Sequence, residues 1–139
     1  MSTIEYDARL LRDSIEITDL SLCHVRLMND VRFPWLVLIP RRADVQEVYE
    51  LDEQDQAQLW REATTLGQAM MISLGGDKLN LASLGNMVAQ LHVHAIVRRR
   101  GDQAWPGPVW GHGDPTPYDE TELTRMHERL LTLLDTSSI

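Results

Sequence analysis

The chain carries one cysteine, Cys23, among its 139 residues. That excludes an internal disulfide framework, and Cys23, set in an apolar stretch, reads as a small core residue. No apolar run approaches the length of a membrane span, so no membrane partner is expected. Positive charge is also scarce: 13 Lys and Arg face 21 Asp and Glu, giving a net charge of −8 and a pI near 5.0. Such a balance argues against a general nucleic-acid surface. It does not exclude a small phosphorylated ligand, because a pocket can be lined with backbone N–H groups. Residues Met1–Asp7 lack the basic and apolar regions of a secretory signal, so a soluble cytoplasmic protein is expected. What the chain does have is 43% hydrophobic residues, enough for a core, and a length that suits one domain over residues 1–139.

The pattern predicts a short helix over 7–13, then strands over 14–18, 22–28 and 35–39. Asn29-Asp30 starts a turn, and Pro40 closes the third strand because proline cannot donate to a ladder. A long helix is predicted over 52–74, capped by Asp52 and ended by Gly75-Gly76. Leu59, Ala63, Leu66, Met70 and Leu74 form its apolar stripe. Further strands are predicted over 78–84 and 90–98. Residues 103–116 hold too many prolines and glycines for a helix and read as an ordered loop anchored by Trp105 and Trp110. A last helix is predicted over 117–135, with Thr116 as cap, Pro117 in the first turn and a buried stripe of Leu123, Met126, Leu130, Leu131 and Leu134. The tail from Thr136 to Ile139 is expected to fray. These blocks suggest an α+β fold with a mostly antiparallel sheet, one long helix and a C-terminal helix.

The most informative stretch is Gln90-Leu91-His92-Val93-His94-Ala95-Ile96. In a strand, side chains alternate faces with period two. Gln90, His92 and His94 then share one face, and Leu91, Val93 and Ala95 point into a core. An imidazole pair on a rigid strand can supply a nucleophile and a proton donor at neutral pH. The same pair is also compatible with a plain surface face or with half of a metal site. Zinc wants three or four protein ligands, and no acid or cysteine with ligand spacing accompanies the pair, so no metal ligand is assigned.

The stretch resembles the signature of the histidine-triad family, in which His-x-His-x-His is followed by two apolar residues. Gln90, His92 and His94 stand at the three triad positions. Val97–Asp102 looks like the family's strand exit, and Gly85-Asn86-Met87-Val88-Ala89 like its phosphate-contacting turn. Leu27-Met28-Asn29 and Trp35-Leu36-Val37-Leu38-Ile39-Pro40-Arg41 are similar to two further strands of the family. The likeness covers residues 22–102 in the family's order. It implies the family fold, a homodimer and a nucleotide or dinucleoside polyphosphate substrate. His92 would attack the α-phosphate to form a nucleotidyl-histidine, which water then hydrolyses. His94 would contact the phosphate and help protonate the leaving group. The N–H groups of Asn86, Met87 and Val88 can form an anion-binding concavity. Asn29 and Asn80 are candidates for the nucleoside hydroxyls or phosphate. No tightly bound cofactor is implied, and magnesium would enter with the substrate phosphates.

Two departures stand out. Gln90 replaces the first histidine; its amide can hydrogen-bond but cannot titrate, so it is expected to position rather than to exchange protons. Trp35 stands where many relatives have another histidine. A glutamine-first motif also resembles a bacterial branch described as diadenosine tetraphosphate hydrolase-like. The expected function is therefore a nucleotide phosphoanhydride or phosphoramidate hydrolase or transferase. The alternatives are a nucleotide-binding or regulatory protein of low turnover and, last, a zinc enzyme. Trp105 and Trp110 are expected to anchor their loop, with purine stacking as the second reading. His24, His112 and His127 have no marking spacing.

Overall fold

The computed structural model describes residues 4–136. Helix α1 (Ala8–Asp13) starts where the Asp7 carboxylate accepts the Arg9 N–H. Strands β1 (Ser14–Asp19), β2 (Cys23–Met28) and β3 (Trp35–Pro40) follow. A single 3₁₀ turn at Val48–Glu50 leads to α2 (Glu53–Leu74). Then come β4 (Lys78–Ala82), β5 (Val93–Arg98) and α3 (Glu120–Thr136). The five strands form one antiparallel sheet in the order β1-β2-β3-β5-β4. This is the expected α+β architecture.

Both faces of the sheet are covered, which is why β3 and β5 are buried at every position. On one face Val25, Leu36, Leu38, Val93, Ala95 and Val97 pack against Leu59, Ala63, Leu66 and Met70 of α2 and Leu130 of α3. On the other, Trp35, Val37, Ile39 and Ile96 meet Leu10 of α1, Phe33, Val88, Ala104 and Val109. Period two then assigns the odd residues of β5 to the α2 face and His94 to the opposite face. Asp52 caps α2 by accepting the Asp55 N–H, and Gly75 ends it at a φ of 66°, a left-handed value that glycine adopts without a Cβ clash.

One charge lies inside the α2 interface. Glu62 is fully buried and accepts the N–H groups of Leu22 and Cys23, both at 2.9 Å, and the Gln58 amide at 2.7 Å. Its carboxylate thus supplies the acceptors that the start of β2 lacks. Leaving those N–H groups unpaired would cost about 1–3 kcal/mol each. Burial pushes the nearby Cys23 thiol far up, so it stays a protonated core group.

Several boundaries differ from the sequence reading. β4 ends at Ala82 rather than at 84, and β5 begins at Val93 rather than at 90. β4 has no residues left to pair with Gln90–His92, Pro40 at the end of β3 has no N–H to donate, and the Leu91 N–H goes instead to the Val45 carbonyl at 2.9 Å. α3 begins at Glu120 rather than at 117. Asp119 accepts the Glu122 N–H and Glu122 accepts the Asp119 N–H, so the cap is Asp119 and not Thr116. Thr116 and Tyr118 instead hydrogen-bond to the turn at Asn29–Val31. In α3 Leu131 faces outward, and Leu133 takes its place against the core. The expected fraying of the tail lies beyond the described residues, apart from Thr136 at the end of α3.

Candidate active site

His92 and His94 lie at the mouth of β5, with ring centroids 4.9 Å apart. Both line a cleft of about 510 Å³. Their hydrogen bonds define their tautomers. The Nδ1 of His92 lies 2.6 Å from the Gln90 carbonyl oxygen. A carbonyl only accepts, so Nδ1 carries the proton and Nε2 keeps its lone pair. Among the described residues, Nε2 has no hydrogen-bond partner.

His94 is different. Trp35 Nε1–H, which can only donate, lies 3.0 Å from its Nδ1. The other nitrogen, Nε2, therefore carries the proton and donates it to the Leu84 carbonyl at 2.9 Å. Burial, with a further contribution from His92, lowers its pKa to about 4. At neutral pH His94 is an uncharged ring with both nitrogens engaged, and it holds the start of the 84–88 turn against β5.

Gly85 fits that turn to the His92 ring. A Cβ at this position would meet the Val88 carbonyl oxygen and stand 3.0 Å from His92 Cε1. Only a glycine lets the backbone pass so close to the ring. The following residues, Asn86, Met87 and Val88, all line the cleft. Among the described residues their N–H groups donate to no protein acceptor. A run of free N–H groups beside an imidazole lone pair suits an anion. Met87 is 80% exposed, so its side chain stands at the open edge of the cleft.

The HIT domain model matches residues 12–101. The chain belongs to the HIT domain family. Solved HIT proteins are similar to it over almost their whole length. The histidine triad protein from Sinorhizobium meliloti 1021 is 48% identical with a TM-score of 0.91, over 94% of this chain and 96% of its own. That from Marinobacter aquaeolei VT8 is 45% identical with a TM-score of 0.94, over 96% and 98%. A third, from Bradyrhizobium japonicum, is 45% identical with a TM-score of 0.91, over 94% and 98%. No curated protein matches the chain.

Within this HIT fold the other expected site residues part ways. Asn29 lines the cleft, and its Oδ1 accepts the Tyr118 N–H at 2.9 Å, leaving its amide N–H₂ as the available donor. Asn80 does not line it. It lies opposite Ile96 on β4, and its Oδ1 accepts from Arg98, which also grips Asp102 bidentately. Asn80 therefore supports a buried arginine and not a ligand. Gln90 is also outside the cleft. It precedes β5, and its side chain turns to the N-terminal segment, accepting from Asp7 N–H at 2.8 Å and donating to the Glu5 carbonyl at 3.0 Å.

Trp110 packs edge-on against both Trp35 and His94 and forms part of the cleft wall, whereas Trp105 lies under Arg98. Both anchor the loop. His24 pairs with Asp19 and stacks on Tyr6, and His112 uses only its carbonyl, toward Arg32. Sequence reasoning missed Arg9 and Arg12, which line the cleft from α1. Their three-residue spacing on a predicted helix was the available signal. Among the described residues no three His, Cys, Asp or Glu side chains are grouped as a metal site requires, and no helix is long and apolar enough to cross a membrane.

Proposed function

We propose that this HIT protein is a nucleotide hydrolase or transferase in which His92 Nε2 attacks the α-phosphorus. The observation that carries the reading is the His92 tautomer: Nδ1–H is committed to the Gln90 carbonyl, so Nε2 faces the cleft as a free lone pair beside the Gly85–Val88 turn. In the first step a P–N bond forms and the bond from phosphorus to the leaving group breaks, the leaving group taking its electron pair. In the second, water attacks phosphorus, the P–N electron pair returns to Nε2 and the water proton passes to solvent. The N–H groups of Asn86, Met87 and Val88 and the Asn29 amide would hold the phosphate oxygens, whose charge grows in both steps.

The state of His94 bears on the substrate. A neutral ring whose only N–H is bonded to Leu84 is not an acid for the leaving group. Phosphoanhydrides release a stable phosphate anion and need no such acid, whereas a phosphoramidate amine does. Dinucleoside polyphosphates such as diadenosine tetraphosphate are therefore the favoured substrates within this proposal. Magnesium would accompany their phosphates. A homodimer and a cytoplasmic location complete the reading. The same His94 geometry favours one second reading, a nucleotide-binding or regulatory protein of low turnover.

The test is turnover of diadenosine tetraphosphate and adenosine phosphoramidate by the wild type and by His92→Ala, with and without chelator. The hydrolase reading expects the anhydride to be cleaved faster and His92→Ala to be inactive on both. Tight nucleotide binding without turnover supports the second reading.

A further inference from the structure

We propose that Arg9 and Arg12 form a subsite for the anionic part of the substrate beyond the reacting phosphorus, a polyphosphate chain, and that Gln90 positions it. This rests on the reading of the cleft as a phosphate site. Both guanidinium groups line the cleft that holds His92. They stand one helical turn apart on α1, so they face the same way. Each is exposed and pairs with a neighbouring carboxylate through Nε and Nη2: Arg9 with Asp7, and Arg12 with Asp13. Among the described residues, neither Nη1 has a partner. The third carboxylate nearby, Asp30, is already closed by Arg32. In a chain of net charge −8, a cleft mouth where Arg9, Arg12 and Arg32 balance Asp7, Asp13 and Asp30 is locally neutral, and two guanidinium groups there keep unused donors. Exposed ion pairs are worth at most about 1 kcal/mol, so a phosphate can share or displace Asp7 and Asp13 at little cost. Arginine forks match phosphate oxygens.

Six residues make a weak helix by themselves, so α1 must be held by its surroundings. Its far end is fixed to the sheet: Ser14 Oγ donates to the Leu10 carbonyl, Asn29 N–H donates to the Asp13 carbonyl, and Leu10 is buried. Its near end is fixed by Gln90. The amide accepts from Asp7 N–H and donates to the Glu5 carbonyl, two bonds that straddle Tyr6. Asp7 is also the cap of α1 and the partner of Arg9. One side chain thus ties the arginine-bearing helix to the segment that carries His92, two residues on. A neutral imidazole could make one of the two bonds but not both in this geometry, because its donor and acceptor point to opposite sides of a ring.

The experiment is calorimetric binding of inorganic tripolyphosphate and inorganic orthophosphate to the full chain. Variants Arg9→Gln/Arg12→Gln, Gln90→Ala and Gln90→Glu are compared with the wild type, and circular dichroism confirms that each is folded. The wild type should prefer tripolyphosphate. The double variant should lose about tenfold or more of that preference, the scale of one charge-assisted hydrogen bond. Gln90→Ala should lose part of the same preference with both arginines intact, and Gln90→Glu, which keeps the acceptor but not the donor, should fall between. An equal preference in the wild type and the double variant overturns the subsite. Equal preference in the wild type and Gln90→Ala overturns the positioning role. Neither result depends on turnover, so the subsite can stand if no nucleotidyl-histidine forms, and it can fail if one does.

Discussion

Acid should destabilise this protein through His94. The ring is 3% exposed and neutral, and burial sets its pKa at about 4, against 6.5 for a free histidine. Between those values the unfolded chain binds a proton that the folded chain refuses. Stability from this group is complete above the unfolded value and falls as the pH drops toward the folded one. Each pH unit in that window is worth about 1.4 kcal/mol, so the loss reaches about 3 kcal/mol near pH 4, a large part of an ordinary domain's stability. The perturbation that isolates it is His94→Gln. Glutamine can accept from Trp35 and donate to Leu84 as the ring does, but it cannot take a proton. Urea unfolding of both proteins from about pH 7 to about pH 4 is the assay. Carboxylates such as Asp102, held at about 2 by its hydrogen bonds from Arg98, lose their contribution at lower pH and do so in both proteins. The wild type should lose about 3 kcal/mol more than the variant across the window. Parallel pH profiles would show that His94 is not a buried neutral ring, and the argument about its proton would fall with it.

Three further outcomes follow from the same geometry. His92→Ala should lower nucleotide turnover by about two to four orders of magnitude while leaving the unfolding midpoint near that of the wild type; steady-state kinetics and a melt read both. Gly85→Ala should force the 84–88 turn and the His92 ring apart, lowering kcat more than it raises KM, and a change in KM alone would contradict the close approach. Trp35→Phe should remove the donor on His94 Nδ1, which favours the neutral ring, and so raise the His94 pKa by up to about one unit in an NMR titration. An unchanged value would mean that Trp35 and His94 are not bonded in solution.

The fold was legible wherever hydrophobic period and punctuation agreed. The stripe of α2 between Asp52 and Gly75 and the apolar run of β3 are such places. The boundaries that slipped were set by partners distant in sequence. Nothing local says that β5 must wait for Val93, because that depends on where β4 stops and on the Val45 carbonyl that takes the Leu91 N–H. Thr116 and Pro117 look like a helix start, but the backbone there is claimed by Asn29–Val31, some 86 residues earlier for Asp30. At the site, alternation brought His92 and His94 to one face, and the Gly85 turn could be read from its spacing. The fates of Gln90, Asn80 and His94 could not. Each depends on a partner known only in three dimensions: the Asp7 backbone, Arg98, and the Trp35 indole with the Leu84 carbonyl.

The most direct test of the central claim is intact-mass analysis of protein quenched soon after mixing with diadenosine tetraphosphate, followed by peptide mapping of the adduct. The account expects a transient gain of one adenosine monophosphate, carried by the peptide containing His92 and absent from His92→Ala. Steady turnover with no adduct at any quench time, or an adduct that persists in His92→Ala, would contradict it.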